Sequence, residues 1–319
     1  MQMQLQHHQR YVIEEFAEDY QARKISRREL MRRSLLITGS IPMTATLLFA
    51  LGCGDDADDE PPAPTQPPVP AVATTAAGIG PGVSETDPAI QTATVRFQGP
   101  ASDLIGYLAR PAAAGTYPGV IVIHENQGLL DHFKDVARRF AKEGFAALSV
   151  DLVSRLGGTS ATDASVNMMA LRASRTDLVA DLLAYTNYLK TQTFVKPAAL
   201  GVTGYCFGGG YSWELAAASP DIKASAPHYG SVSPEALELL TTTTAALLGI
   251  YGADDARITG QEPMVKERLL AAGRVIETKI YPGAPHAFFN ETKPNSYNEA
   301  AAKDAWTQTL AWFRKYLVA

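Results

Sequence analysis

One short stretch of this chain, GVTGYCFGGGYSWELAAA at Gly201–Ala218, places a cysteine where chemistry could be done. Cys206 lies between Gly204 and Gly208, after an apolar run and before a helix-like segment. A strand, a G-x-nucleophile-x-G turn and a helix form a nucleophile elbow, and the turn is so tight that flanking side chains would collide. The elbow thrusts the nucleophile out at the sheet edge, and the helix start behind it favours negative charge. A small buried cysteine in a glycine-rich turn would look much the same, so its partners decide the matter. A nucleophile of this kind needs a base and an orienting acid, in the chain order nucleophile, acid, base. Asp254 and Asp255 directly follow the apolar run AALLGIYG, and His286 follows VIETKIYPG. Cys206, Asp255 or Asp254, and His286 therefore occur in the required order, each just beyond an expected strand.

The remaining histidines are read more plainly. His7 and His8 belong to an N-terminal leader, and His132 to a helix start at the surface. His228 precedes the acid, the wrong order for the base, and is expected to line the pocket. His124 adjoins Glu125 and is expected to be structural or pocket-forming.

The elements needed to position these residues can be read from residue 91 onward. TATVRF and LIGYLARP alternate as an antiparallel pair. GVIVIHENQGL is a continuous β-branched run ending in a polar loop, the pattern of a strand buried on both faces. HFKDVARRFAKEG has helical spacing, with Phe133, Val136, Ala137 and Phe140 on one side and Gly144 at its end. Strands at FAALSVDL, AALGVTGYC, IKASAPHYG, AALLGIYGADD and RVIETKIYPG then alternate with helices. The helices are ASRTDLVADLLAYTNYLKTQ, GGGYSWELAAAS, EPMVKERLLAAG and AAAKDAWTQTLAWFRKYL. This alternation predicts an α/β fold with a mainly parallel central sheet and helices on both faces. Chemistry in such sheets collects beyond the carboxyl ends of the strands.

The first third reads differently. SRRELMRR at 26–33 precedes a mostly apolar stretch, Ser34–Gly52, that ends at Cys53. Basic then apolar is the layout of an export signal, and Arg27-Arg28 resembles a twin-arginine signal. An uncleaved anchor helix is the alternative. FALGC resembles a lipoprotein cleavage site, with Ala50 departing from the usual leucine. A lipid anchor at Cys53 and an exported, extracytoplasmic location are therefore expectations. Residues 54–90, acidic and then rich in Pro, Ala and Thr, cannot bury a core and read as a tether. Three segments result: 1–53 signal, 54–90 linker, 91–319 catalytic domain.

The 319 residues are 46% hydrophobic, enough for one sizeable core, and the net charge of −5 is mixed along the chain, so no nucleic-acid partner is indicated. Two distant cysteines make no disulfide framework. Neither C-x-x-C nor H-E-x-x-H occurs, so no metal or other cofactor is expected.

From about Thr92 to the C-terminus the chain resembles the dienelactone hydrolase family of α/β-hydrolases. The motifs are GYCFGG around Cys206, YGADD before the acid, PHAF around His286 and HENQGL after an early strand. The resemblance implies hydrolysis of a small-molecule ester or lactone through a Cys-His-Asp triad and a thioester acyl-enzyme. The family pattern G-x-x-D selects Asp255 over Asp254, and the family glutamate at the position of Glu125 takes part in activating the thiol. The oxyanion hole would use the backbone N–H groups of Phe207 and Asn126. Dienelactone-specific relatives clamp a substrate carboxylate with arginines, one of them shortly after the catalytic histidine; here that place holds Asn290. Asn290 and Arg257 are the expected substrate-binding residues, with Arg155, Arg172 or Arg175 as sources of a second charge. A second reading of the same residues is a tethered binding protein, or a thiol redox protein, on a hydrolase scaffold. The oligomeric state has no signature in the sequence.

Overall fold

The apolar runs read as strands form one eight-stranded sheet in the order β1-β2-β4-β3-β5-β6-β7-β8. The computed structural model describes residues 26–50, 82–161 and 175–318, together with Ile13, Phe16, Ala17 and Tyr20. The strands are β1 (Ile90–Gln98), β2 (Asp103–Pro111), β3 (Tyr117–Ile123), β4 (Ala146–Val150), β5 (Val195–Tyr205), β6 (Ile222–His228), β7 (Ala246–Gly252) and β8 (Ile276–Tyr281). The first two enter as an antiparallel meander, β1 on β2 and β2 on β4. From β4 through β3, β5, β6 and β7 to β8, all pairings are parallel.

The central strands are apolar throughout because both faces are covered. All residues of β4 and β7 are buried, as are the last six of β3. Edge strand β8 is buried only at its two ends, Ile276 and Tyr281, and exposes Glu277 and Ile280. Helices α3 (Asp131–Lys142), α4 (Arg175–Lys190), α5 (Phe207–Ala218) and α9 (Glu299–Phe313) supply the covering layers. On α3 the buried stripe is Phe133, Val136, Ala137, Phe140 and Ala141, the spacing of one helical face. Phe140, Phe145, Trp306 and Phe313 join α3 to α9 in one aromatic cluster.

Three further helices complete this part: α6 (Pro234–Leu240), α7 (Ala256–Thr259) and α8 (Glu262–Ala271). Neither α6 nor α7 was expected from the sequence. The start of α6 is marked by Ser233, whose hydroxyl accepts from the Ala236 N–H, and by Pro234 in the first turn.

Residues 26–50 fold as two helices rather than one. Ser26 caps α1 (Arg27–Thr38) by accepting from the Glu29 N–H, and Glu29 pairs with Arg32 and Arg33. Gly39, at φ 66°, ends it, and α2 (Ile41–Ala50) follows. No helix among the described residues is long and apolar enough to cross a membrane. Cys53, the tether up to residue 81 and Arg172 lie outside the described residues. The segment from Val83, placed in the tether by composition, is in fact pinned to the domain. Asp135 accepts from the Val83 N–H at 2.7 Å, Tyr107 donates to Glu85 at 3.1 Å, and Lys142 pairs with Asp87 at 2.9 Å.

The turn between β5 and α5 is tight enough to require glycine. A Cβ on Gly204 would fall onto the Gly208 carbonyl, and one on Gly208 onto the carbonyls of Ile123 and His124. Gly208→Ala is expected to destabilise the fold by about 2–4 kcal/mol through this backbone collision. Urea unfolding measures it; a loss below about 0.5 kcal/mol would mean that the junction can open without penalty.

Candidate active site

Strand register gathers the chemistry at one edge. Ile123 of β3 pairs with Gly204 of β5, Tyr205 with His228 of β6, His228 with Ile250 of β7, and Gly252 with Tyr281 of β8. The carboxyl ends of five parallel strands are thus level. The residues just beyond them are Glu125, Cys206, Tyr229, Asp255 and His286, which span more than half the chain in sequence.

Cys206 occupies the N-cap of α5 with φ 58° and ψ −119°, and its backbone N–H donates to His228 O at 3.1 Å. A non-glycine residue with positive φ is held there only by its surroundings. Among the described residues only two others have it, Tyr229 (φ 39°) and Ala287 (φ 61°), and both adjoin this edge. The thiol is in no disulfide and the residue is 2% exposed. Phe207 is the first residue of α5, so its N–H lies at the end of the helix where the dipole favours an anion. Asn126 sits half-buried in the loop after β3.

The two adjacent aspartates differ in their surroundings. Asp255 is buried, and its Oδ2 lies 2.5 Å from His286 Nδ1; Asp254 is exposed. That hydrogen bond fixes the orientation of the imidazole.

Glu125 is 2% exposed and is held on three sides. Asn290 Nδ2 donates to Oε2 at 3.1 Å, Lys293 Nζ reaches the same oxygen at 2.6 Å, and the Tyr229 hydroxyl approaches Oε1 at 3.5 Å. Sequence reasoning placed Asn290 toward the substrate. Its amide is instead buried between Glu125 and Thr292, whose N–H and hydroxyl both donate to Asn290 Oδ1. Tyr229 and Lys293 went unnoticed in the sequence. Tyr229 stands directly beyond the end of β6, a position that could have flagged it, and Lys293 is the cation nearest after His286. The Tyr229 ring lies edge-on to that of His286 at 5.1 Å. Burial foremost, and then the Glu125 charge, raise the phenol well above its usual value, so it stays a hydrogen-bond donor.

The loop carrying Glu125 and Asn126 is stapled at both ends. His124 Nε2 accepts from the Leu152 N–H at 3.0 Å, which makes Nδ1–H the donor to Glu125 O at 2.5 Å. At the far end Thr159 Oγ1 accepts from the Leu129 N–H and donates to Asp151, each at 2.8 Å. His124 is thus structural. His228 is also buried in full, stacked at 4.5 Å on Tyr205, with Nδ1 donating to Ala226 O; it underlies the elbow rather than lining a pocket.

Two of the arginines offered for a second charge are already paired. Arg155 grips Asp181 and Arg175 grips Glu214. Arg257 lies partly buried on α7, two residues beyond Asp255.

A doubly covered parallel sheet with a positive-φ elbow and an Asp–His pair beyond later strands defines an α/β-hydrolase. The model of the dienelactone hydrolase family matches residues 104–317, and the chain belongs to that family. It is 34% identical over 225 residues to a Methylorubrum extorquens protein named carboxymethylenebutenolidase, a match covering 67% of this chain and 77% of the relative. It is also 34% identical to Aquifex pyrophilus protein usf, over 70% of this chain and 98% of that one. A Klebsiella pneumoniae crystal structure named dienelactone hydrolase superposes with a TM-score of 0.66 at 31% identity, over 72% of this chain and all of the other. The chain is therefore a hydrolase.

Burial holds the His228 imidazole down to about 3, and burial likewise lowers His124. Both stay neutral in the fold, whereas in the unfolded chain they take protons below about 6.5. Their contribution to stability is complete above that pH and is lost as pH falls toward the folded values, each at up to about 1.4 kcal/mol per pH unit. Urea unfolding between pH 7 and pH 5 should show this decline, and His228→Asn should flatten it. An acid limb unchanged by the substitution would mean that His228 is not the group responsible.

Proposed function

We propose that the chain hydrolyses small carboxylic esters or lactones through a Cys206–His286–Asp255 triad and a thioester acyl-enzyme. The observation that carries this reading is the buried Asp255–His286 hydrogen bond at the same sheet edge as the Cys206 elbow. His286 Nε2 takes the thiol proton and the sulfur attacks the substrate carbonyl carbon. The carbonyl π pair moves to oxygen, where the N–H groups of Phe207 and Asn126 stabilise the charge. The tetrahedral intermediate collapses, the C–O bond to the leaving group breaks, and His286 returns the proton to the departing alkoxide. In a lactone that alkoxide stays attached to the acyl group. Water, deprotonated by His286, then cleaves the thioester to release the acid and restore the thiol. Asp255 holds the imidazole in the required tautomer and steadies its cationic form. A free thiol has a pKa near ~8.5 and attacks as thiolate. Glu125, close to the elbow and gripped by Asn290, Lys293 and Tyr229, is read as the group that controls the resting thiol.

The N-terminal segment is read as an export signal, with Arg27-Arg28 as its twin-arginine element and Cys53 as a lipidation site. This would tether the hydrolase on the outer side of a membrane. Metabolic labelling with palmitate should mark the full chain in bacteria and leave Cys53→Ser unmarked. Equal labelling of both would remove the anchor from the account.

The catalytic reading is tested with the full chain, p-nitrophenyl acetate and a simple enol lactone. Turnover is expected, with Cys206→Ala lower by at least about 10³-fold and Asp255→Asn by about 10²–10⁴-fold. Turnover retained in Cys206→Ala would overturn the thiol mechanism. Ready alkylation of Cys206 with no turnover of either substrate would favour a binding or redox role.

A further inference from the structure

A second cluster of ionisable groups lies behind the Glu125 clamp, and the reaction does not use it. Asn290 and Lys293, both of which hold Glu125, belong to one short loop, and Glu291 lies between them. The Glu291 carboxylate turns the other way, toward α3. Oε1 meets Arg139 Nη2 at 2.5 Å, and Oε2 meets His132 Nδ1 at 3.2 Å. Arg139 in turn donates from Nε to Asp135 at 2.6 Å. The cluster is largely sealed: His132, expected at the surface, has a side-chain exposure of 2%, and the values are 7% for Arg139, 9% for Asp135 and 17% for Glu291. The phenols of Tyr205 and Tyr297 also feel the Glu291 charge.

Such a group needs a reason. Burying a carboxylate, a guanidinium and an imidazole together seldom adds net stability compared with apolar packing, and the return is often a fixed geometry. Here the geometry that is fixed is that of the loop. Backbone hydrogen bonds, Asn290 N–H to Ala287 O and Lys293 N–H to Asn290 O, make the loop a compact turn, so anchoring its middle residue sets both ends. Burial alone would raise the Glu291 carboxyl. The nearby His132 imidazole and the Arg139 guanidinium outweigh burial and hold it down at about 2.

We infer that Glu291, anchored to α3 by Arg139 and His132, is a positioning residue for Glu125: it sets the loop from which Asn290 and Lys293 grip that carboxylate. This inference rests on the reading that Glu125 controls the Cys206 thiol. It assigns the Asn290 position a task other than substrate binding, carried out jointly with Lys293. It also gives the otherwise costly ionic cluster a consequence at the active site.

The test uses the full chain and follows iodoacetamide alkylation of the Cys206 peptide by mass spectrometry, because Cys53 supplies a second thiol. Glu125→Gln should shift the pH midpoint of alkylation, and Glu291→Gln should shift it in the same direction by about half a unit or more. In Glu291→Gln kcat should fall about tenfold with KM within about twofold, as expected when a group inside the site is misplaced. Glu291→Asp should recover part of both effects. Glu262→Gln removes a buried carboxylate from α8, where it meets Thr278 and Lys266; it should lower Tm without moving the alkylation profile. If Glu291→Gln does not fold, Arg139→Lys and His132→Asn remove the same anchor singly and should shift the midpoint likewise. A Glu125→Gln shift with wild-type profiles in the folded anchor variants would overturn the positioning role and leave the reading of Glu125 intact. An unshifted profile in Glu125→Gln itself would overturn that reading, and this inference with it.

Discussion

The level alignment of the parallel strand ends is the constraint on which the rest depends. From β3 to β8 each parallel pairing brings neighbouring strand ends level to within two residues, so groups distant in sequence emerge together. A one-residue slip in any pairing would turn every side chain of that strand to the opposite face. The buried apolar strands prevent it, because both faces of β3, β4 and β7 are filled. Core packing thus does more than stabilise the fold: it sets the distances between Glu125, Cys206, Tyr229, Asp255 and His286.

Against that rigid background, local strain can be held. The positive-φ residues Cys206, Tyr229 and Ala287 each cost on the order of 1–3 kcal/mol, and all adjoin one edge. Glycine at 204 and 208 relieves the collisions that the elbow would otherwise create. The Glu125 carboxylate there is buried and paired. His124 and Thr159 fix the loop of Glu125 from one side, and Asn290 and Lys293 grip its carboxylate from the other.

Much of this was legible in the sequence, for physical reasons. The β-branched runs and the apolar stripe of Phe133, Val136, Ala137 and Phe140 follow directly from burial, and they predicted the parallel sheet. The elbow was legible because only glycine fits two residues before and two residues after Cys206. Tertiary pairing was not legible. Nothing in the sequence says that Asn290 turns inward to Glu125, or that Arg155 and Arg175 are taken by Asp181 and Glu214, because those partners lie 26 to 165 residues away. Asp254 and Asp255 are adjacent and chemically identical, and only the course of the loop buries one and exposes the other. Ser34–Gly52 read as one apolar stretch, but left-handed Gly39 divides it into α1 and α2.

The central claim is that Cys206 sulfur carries the acyl group. The most direct measurement is rapid acid quenching of the enzyme with p-nitrophenyl acetate, followed by mass spectrometry of its peptides. The account predicts an acetyl group on the peptide containing Cys206, appearing within the first turnover and removed by neutral hydroxylamine as a thioester should be. Turnover with no acetyl on that peptide, or with acetyl on another side chain, would contradict it.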